Sequence, residues 1–294
     1  MVHHVICSLY SILLDTVFNR PVKRYSGRML FCGDVHPVNP VPLVIVTCIG
    51  WPVAGRICSP MKILVLADIH ANWPALAAIR ESFDTCLFVG DLVDYGTDAA
   101  PCIDWIRRHA TGAVRGNHDH AVAQRVSGMD GNGFRGLAAA TRLVHWNQLR
   151  SSHLRYLSRL PLTQLLNVDG RSFHLVHATP RDPLDEYLTD DLPAWQTRLE
   201  SVDADFVCVG HTHIPFHLDL GRMQVINPGS VGQPRDGDPR CSYAVIDDGH
   251  VEFRRVEYDI DQTIRHMRES GLAEEMIDLA ETVLRTGGAS SAST

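Results

Sequence analysis

Five apolar runs of strand length, spread between Leu64 and His213, each break off into a short loop carrying Asp, Asn or His: LVLADIH, LFVGDLVD, AVRGNHD, FHLVHA and FVCVGHTH. Between them apolar runs alternate with amphipathic ones, the pattern of strands joined by helices in a layered α/β domain. Strand ends of such a domain converge on one crevice, where five polar loops can pool their side chains. Side chains two apart on an extended segment point the same way, so Asp68 and His70 are expected at one locus, as are His211 and His213. Turn and loop capping accounts for Asp and Asn at such places one at a time. It does not account for histidine beside them four times.

The pass along the chain fills in the layers. KILVLA (62–67) reads as a buried strand, WPALAAIRESF as a helix with Pro74 near its start, and TCLFVG (85–90) as the next strand. PCIDWIRRHA gives a second helix and GAVRG a short strand. Residues 133–160 read as helical throughout, with Phe134, Leu137, Thr141 and Val144 on one face and Pro161 closing the region. TQLLNVDGRSFHLVHA and SYAVIDDGHVEFRRVEY are hairpins around Asp169-Gly170 and Asp248-Gly249. A helix near 191–201, the strands DFVCVG, IPFHLDL and MQVINPG, and two amphipathic helices from Asp259 to about Arg285 complete the set. Early parallel-type strands and late hairpins imply mixed sheets flanked by helices.

Composition excludes several function classes. The 294 residues carry 45% hydrophobic side chains and a formal charge of −7, which suits a globular domain and argues against a polybasic surface for nucleic acid or anionic lipid. Lys62 is the only lysine from residue 61 onward, which argues against Schiff-base chemistry. No G-x-x-x-x-G-K-[ST] loop occurs, which argues against a P-loop NTPase. Cysteines at 7, 32, 48, 58, 86, 102, 208 and 241 are scattered singly, as expected for reduced, structural thiols in a cytoplasmic protein.

The first sixty residues read differently. MVHHVICSLYSILLD lacks a basic opening and is interrupted by Asp15, unlike a secretory signal. VPLVIVTCIGWPVAG contains Gly50 and Pro52 and falls short of the ~20 apolar residues that span a bilayer. Residues 1–60 are therefore expected to be an appendage, poorly ordered or a mis-assigned upstream start. The functional domain is expected over 61–286, with 287–294 a flexible tail. CGDVHP (32–37) contains a further Asp-x-His, but no full strand precedes it and Pro37 follows; it is read as coincidence.

Taken as a series, D-x-H, G-D-x-x-D, G-N-H-D, a lone H and G-H-T-H resemble the calcineurin-like metallophosphoesterase superfamily over about residues 62–255. INPGSVGQPRDG (226–237) is similar to its small bacterial phosphodiesterase and phosphatase branch. The resemblance implies a four-layer αββα sandwich of two mixed sheets flanked by helices, and two divalent metal ions at the strand ends. Asp68, His70, Asp91 and His213 would hold one ion; Asn117, His177, His211 and the same Asp91 would hold the other. His118 would face the substrate as general acid, with Asp94 behind it to orient the ring.

The implied reaction is hydrolysis of a phosphomonoester or phosphodiester by in-line attack of a metal-bridging hydroxide. Mixed nitrogen and oxygen donors favour Mn, Fe, Zn, Co or Ni. The partner would be a small phosphorylated substrate, and HATPRDPLDEYL (177–188) resembles diadenosine tetraphosphatase-like relatives, which keeps a nucleotide-type substrate open. The alternative is a non-catalytic metal-binding scaffold on the same fold. Arg115, His120, Arg181, Arg235 and Arg240 stand near the motifs but are left outside the expected site, and His174 is read as structural. The segment 128–160 is expected to shape the pocket and its selectivity.

Overall fold

The computed structural model describes residues 61–127 and 132–288. The expectations for residues 1–60, the decoy at 32–37 and the end of the tail lie outside the described residues.

Lys62–Leu66 (β1) leads to Trp73–Ala78 (α1), and Thr85–Phe88 (β2) to Ala99–His109 (α2). Gly112–Ala113 (β3) is followed by Asn117–Ala123 (α3), Gly133–Gln148 (α4) and Ser151–Arg159 (α5). Then come the hairpin Thr163–Val168 (β4) and Arg171–Val176 (β5), the helix Leu192–Arg198 (α6), and Phe206–Cys208 (β6), Phe216–Asp219 (β7) and Gln224–Asn227 (β8). Cys241–Asp247 (β9), His250–Val256 (β10), Ile260–Glu269 (α7) and Glu274–Thr286 (α8) close the domain.

The strands form two five-stranded mixed sheets, ordered β10-β9-β1-β2-β3 and β4-β5-β6-β8-β7. In the first, β1, β2 and the edge strand β3 run parallel, with β9 and β10 antiparallel on the β1 side; in the second, β5, β6 and β8 form a parallel centre with β4 and β7 antiparallel outside it. The alternation within β1 explains why its sequence is apolar throughout. Ile63 and Val65, with Ala67 just beyond, pack between the sheets with Phe173, Leu175 and Phe206, while Leu64 and Leu66 face outward onto Ile103 and Ile106 of α2 and Leu157 of α5. A strand buried on both faces can carry no polar position. The second sheet repeats this arrangement, with Val176, Val207 and Val225 turned onto Trp195 of α6 and Leu199 just beyond it. The result is helix on sheet on sheet on helix, as the sequence led us to expect.

Both hairpins turn where expected: Asp169 and Gly170 have φ of 52° and 75°, Asp248 and Gly249 of 47° and 78°, the left-handed pair that a two-residue turn needs. The free cysteines 86, 102, 208 and 241 are buried. Among the described residues no helix is long and apolar enough to cross a membrane.

One expectation is corrected. Residues 133–160 are not one helix: Leu149 and Arg150 are extended, with ψ of 130° and 156°, and separate α4 from α5. Neither glycine nor proline marks the break. Leu149 is buried in the helical layer beside Leu157 and Leu160, so packing rather than local propensity sets the turn. α4 is thereby freed to run beside α7 and α8, where Leu137 joins Ile264, Met267, Ile277 and Leu284 in a separate apolar cluster.

The segment between β8 and β9 crosses the end of β1 at very close range. Gly232 N–H bonds Asp68 O at 3.0 Å, and a Cβ on Gly232 would lie 1.9 Å from Ile69 O. Backbone there cannot yield cheaply. We expect Gly232→Ala to cost about 1–3 kcal/mol, the usual range for forced overpacking, read as a lowered urea midpoint with unchanged slope.

Candidate metal centre

The site begins where β1 and β2 stop. Asp68 N–H bonds Gly90 O at 2.9 Å, His70 N–H bonds Asp91 O at 3.0 Å and Ala71 N–H bonds Leu92 O at 2.8 Å, so two loops continue as one ribbon past the sheet. The ribbon is bent into an unusual conformation. Asp68, His70, Ala71, Asp91, Asp94, Tyr95, His211 and His213 all have φ between 48° and 68°. Left-handed non-glycine residues cost about 1 kcal/mol or more apiece, and such strain concentrates at functional sites.

This bending corrects the geometry expected from the sequence. Asp68 and His70 do meet, but as left-handed loop residues rather than alternate positions of a strand. His211 and His213 do not share one locus. Asp68, His70 and His213 form one buried cluster, and Asp91, His177 and His211 a second, with the donor atoms of each within 4.8 Å of one another. Asp91 Oδ2 stands between them, 3.8 Å from His70 Nε2 and 3.2 Å from His177 Nε2. Asn117 joins the second cluster through Oδ1, 3.2 Å from His177 Nε2.

Outer partners orient the rings. Nδ1 of His70 donates to Val93 O at 2.9 Å, that of His177 to Val89 O at 2.8 Å and that of His213 to Gln233 O at 2.6 Å. A carbonyl can only accept, so each Nδ1 carries a proton; Nε2 of neutral His70 and His213 turns its lone pair inward, while His177, held charged by Asp91, carries a second proton on Nε2. His70 Nε2 and His213 Nε2 then face each other at 3.1 Å, two acceptors with no proton between them, and Asp68 Oδ1 adds a third acceptor 3.4 Å from His213 Nε2. A buried set of that kind fits a cation between its members. Imidazole and carboxylate donors suit a divalent transition metal.

His118 and Asp94 are also brought together. His118 lies in the first turn of α3, where its N–H donates to Asp91 Oδ1 at 3.0 Å and its Nδ1 to Asp94 Oδ2 at 2.8 Å. Its ring stands edge-on to His70, centroids 5.1 Å apart. Gly116 makes the approach possible, since a Cβ there would lie 2.0 Å from Asp91 Oδ1.

Several supporting residues escaped the sequence reading. Asp119, the last letter of GNHD, accepts from Asp91 N, Leu92 N and Gly116 N at 2.9, 2.8 and 3.1 Å, tying the second loop to the third. Arg142 donates to Asp94 Oδ2 through Nε and Nη2 at 3.1 and 2.5 Å, His145 Nε2 accepts from Asp94 N, and Thr141 Oγ1 accepts from Tyr95 N. All three lie on α4; no motif marks them. Ser230 Oγ donates to Asp68 O at 2.7 Å, and Asn227 Nδ2 to Gly210 O at 2.7 Å, which gives the NPGS segment its role of binding the first loop to the fifth. His174 remains outside both clusters.

Electrostatics follow from burial and crowding. Burial drives the imidazoles of His70 and His211 down, to about 3 and about 4, and His213 well below its usual value. Burial alone would lower His177 too, but the charge and hydrogen bond of Asp91 outweigh it and hold His177 at about 10. Asp91 is the mirror case: burial would raise it, and the opposing charges of His177 and His118 keep it well below the carboxylate range. His118 is raised, with burial overcome first by Asp91 and then by Asp94.

A family model for the calcineurin-like phosphoesterase superfamily domain matches residues 61–249. An uncharacterized protein of Methanocaldococcus jannaschii is 33% identical over 239 residues, covering 72% of this chain and 94% of that protein. Phosphodiesterase YfcE of Escherichia coli is 26% identical over 203 residues, covering 64% and 88%. The crystal structure of a metallophosphoesterase from Sphaerobacter thermophilus superposes with a TM-score of 0.65 at 35% identity, covering 78% of this chain and 99% of that one.

The charge state of His177 has a measurable consequence. At pH 7 a group at about 10 is protonated, and Nε2 must lose that proton before it can ligate. Manganese titrated calorimetrically into chelator-treated protein, in buffers of different ionisation enthalpy, is expected to release protons at pH 7. Its apparent affinity should rise with pH; pH-independent binding would contradict the Asp91–His177 ion pair.

Proposed function

The chain belongs to the calcineurin-like phosphoesterase superfamily and is a metal-dependent phosphoester hydrolase; on that premise we propose that it cleaves a small phosphomonoester or phosphodiester by in-line displacement at a two-ion centre. The observation that carries this reading is Asp91 Oδ2 standing between two donor clusters, one of which sets the Nε2 atoms of His70 and His213 and a carboxylate oxygen of Asp68 against one another with no proton between the two rings. Asp68, His70, Asp91 and His213 would hold one divalent transition metal, and Asn117, His177, His211 and Asp91 the other. Manganese is the first ion to test. When bound, such a pair supplies positive charge to phosphoryl oxygens and lowers the pKa of water enough for attack at neutral pH.

The chain's own residues perform the remaining tasks. Nε2 of His118 is the free end of a ring whose Nδ1 is held by Asp94, so it can deliver a proton to the departing alkoxide oxygen. Asp94 fixes the ring's tautomer and favours its charged form. Arg142 holds Asp94 in turn, its Nε and Nη2 both donating to the Oδ2 that accepts from His118. The hydrolytic domain is taken as 61–286, acting in the cytoplasm, where singly scattered thiols stay reduced; a nucleotide-type substrate is compatible with the 177–188 segment.

Chelation should abolish hydrolysis of p-nitrophenyl phosphate and bis-p-nitrophenyl phosphate, and added manganese restore it. His118→Ala is expected to lower kcat by ~10²–10⁴ at unchanged metal content measured by elemental analysis. Full activity in that variant, or an inert metal-loaded wild type, would favour the scaffold. A separate pH test concerns Asp94. An acid works only while protonated, so activity falls as pH rises through the pKa of His118. Asp94→Asn removes an interaction that raises it and should move the basic limb of the kcat profile to lower pH; an unmoved limb argues against the pair.

A further inference from the structure

Two of the arginines near the motifs pair with carboxylates, and a third, Arg115, has a carbonyl contact but leaves its buried Nε without a hydrogen-bond partner. Arg115 reaches the Ser158 carbonyl at 3.4 Å, Arg181 pairs with Glu186, and Arg240 with Asp238 at 2.7 Å. Arg235 does not follow them. It is half-buried, its N–H bonds His213 O at 3.3 Å, and its Nη2 donates to the neutral Gln233 Oε1 at 2.8 Å. Its buried Nε has no hydrogen-bond partner, and no carboxylate forms an ion pair with it among the described residues.

Two aromatic rings hold the guanidinium instead. Its carbon lies 4.8 Å from the centroid of Phe134 and 5.6 Å from that of Tyr95, and the two rings meet edge to face at 6.1 Å. Stacking of this kind fixes the plane of an arginine without using its N–H groups. The Tyr95 ring also touches His70 and His118, at 4.7 and 4.8 Å. A fixed cation with unused donors therefore stands one ring away from both a metal-cluster histidine and the acid. Phe134 opens α4, the helix whose Thr141, Arg142 and His145 hold Tyr95 and Asp94, so one helix positions the acid and this cation together.

We propose that Arg235 is the substrate's anion anchor, binding the phosphoryl oxygen that the metal pair leaves free and so selecting phosphomonoesters over diesters. The inference rests on the two-ion reading above and adds to it a substrate class. Of the residues in the two clusters only Asp68 and Asp91 are carboxylates, so two divalent ions and the attacking hydroxide would leave a surplus of about one positive charge. Arg235 supplies a further one, and no carboxylate among the described residues forms an ion pair with it. A diester offers one negative charge and two unesterified oxygens. A monoester offers three such oxygens and, with a second pKa of about 6, close to two charges at pH 7. The third oxygen calls for a third cationic partner, and a planar fork of N–H donors suits it better than an ammonium would.

The test uses the full chain loaded with manganese, as wild type, Arg235→Lys and Phe134→Leu. Steady-state kinetics on p-nitrophenyl phosphate and bis-p-nitrophenyl phosphate are combined with calorimetric titration of inorganic phosphate and a thermal melt. For Arg235→Lys we expect monoester kcat/KM to fall about tenfold more than diester kcat/KM, mainly through KM, and the phosphate Kd to rise about tenfold, with little change in melting temperature. Phe134→Leu, which keeps the charge but opens the aromatic corner, should show a smaller shift in the same direction. Equal losses on both esters, or an unchanged phosphate Kd, would overturn the anchor and leave Arg235 a structural residue. A wild type that turns over neither ester would defeat the hydrolase reading instead, and the phosphate titration would still decide the role of Arg235.

Discussion

The centre depends on where three imidazole protons are kept. His70, His177 and His213 each commit Nδ1 to a backbone carbonyl, of Val93, Val89 and Gln233, and this outward bond turns Nε2 inward. Were any of those carbonyls to move, the ring could take the other tautomer and the cluster would lose a donor. The carbonyls of Val89 and Val93 belong to the loop that leaves β2, and that of Gln233 to the segment crossing the end of β1. The donor geometry is thus inherited directly from how strands of the first sheet end.

Holding those carbonyls in place accounts for much of the local structure. The left-handed residues let two adjacent loops bond as a ribbon beyond the sheet, and Asp119 accepts three N–H groups that would otherwise be buried without partners. Strain of about 1 kcal/mol per left-handed residue is offset by such bonds and by the surrounding core, where β1 is packed on both faces. A rigid scaffold tolerates a tense site.

α4 adds a second level of organisation. It is inserted between the third and fourth motifs, packs on α7 and α8 through Leu137, and directs Thr141, Arg142 and His145 at Asp94 and Tyr95. The two donor clusters come from the strand ends, whereas the His118–Asp94 pair and the aromatic corner around Arg235 are held from this helix. Separating the two lets one vary without disturbing the other, the usual advantage of function carried on connections over a fixed scaffold.

Local patterns determined the parts of this protein that local physics controls. Strands buried on both faces must be apolar at every position, so KILVLA and TCLFVG announced a layered α/β domain; two-residue hairpins require left-handed residues, so Asp169-Gly170 and Asp248-Gly249 announced the turns. The chain order of Asp and His motifs named the members of a shared crevice. Only the tertiary structure decided their partners. Assignment of His211 and His213 to different clusters, and the meeting of Asp68 with His70, turn on left-handed loop backbones that strand periodicity cannot foresee. The break at Leu149–Arg150 has no breaker residue, because burial of Leu149 sets it. Arg142 carried no motif, and Arg235 stood beside one without a sign of its role: whether such a side chain is solvated, paired or stacked on aromatic rings depends on residues dozens of positions away, brought near by packing alone.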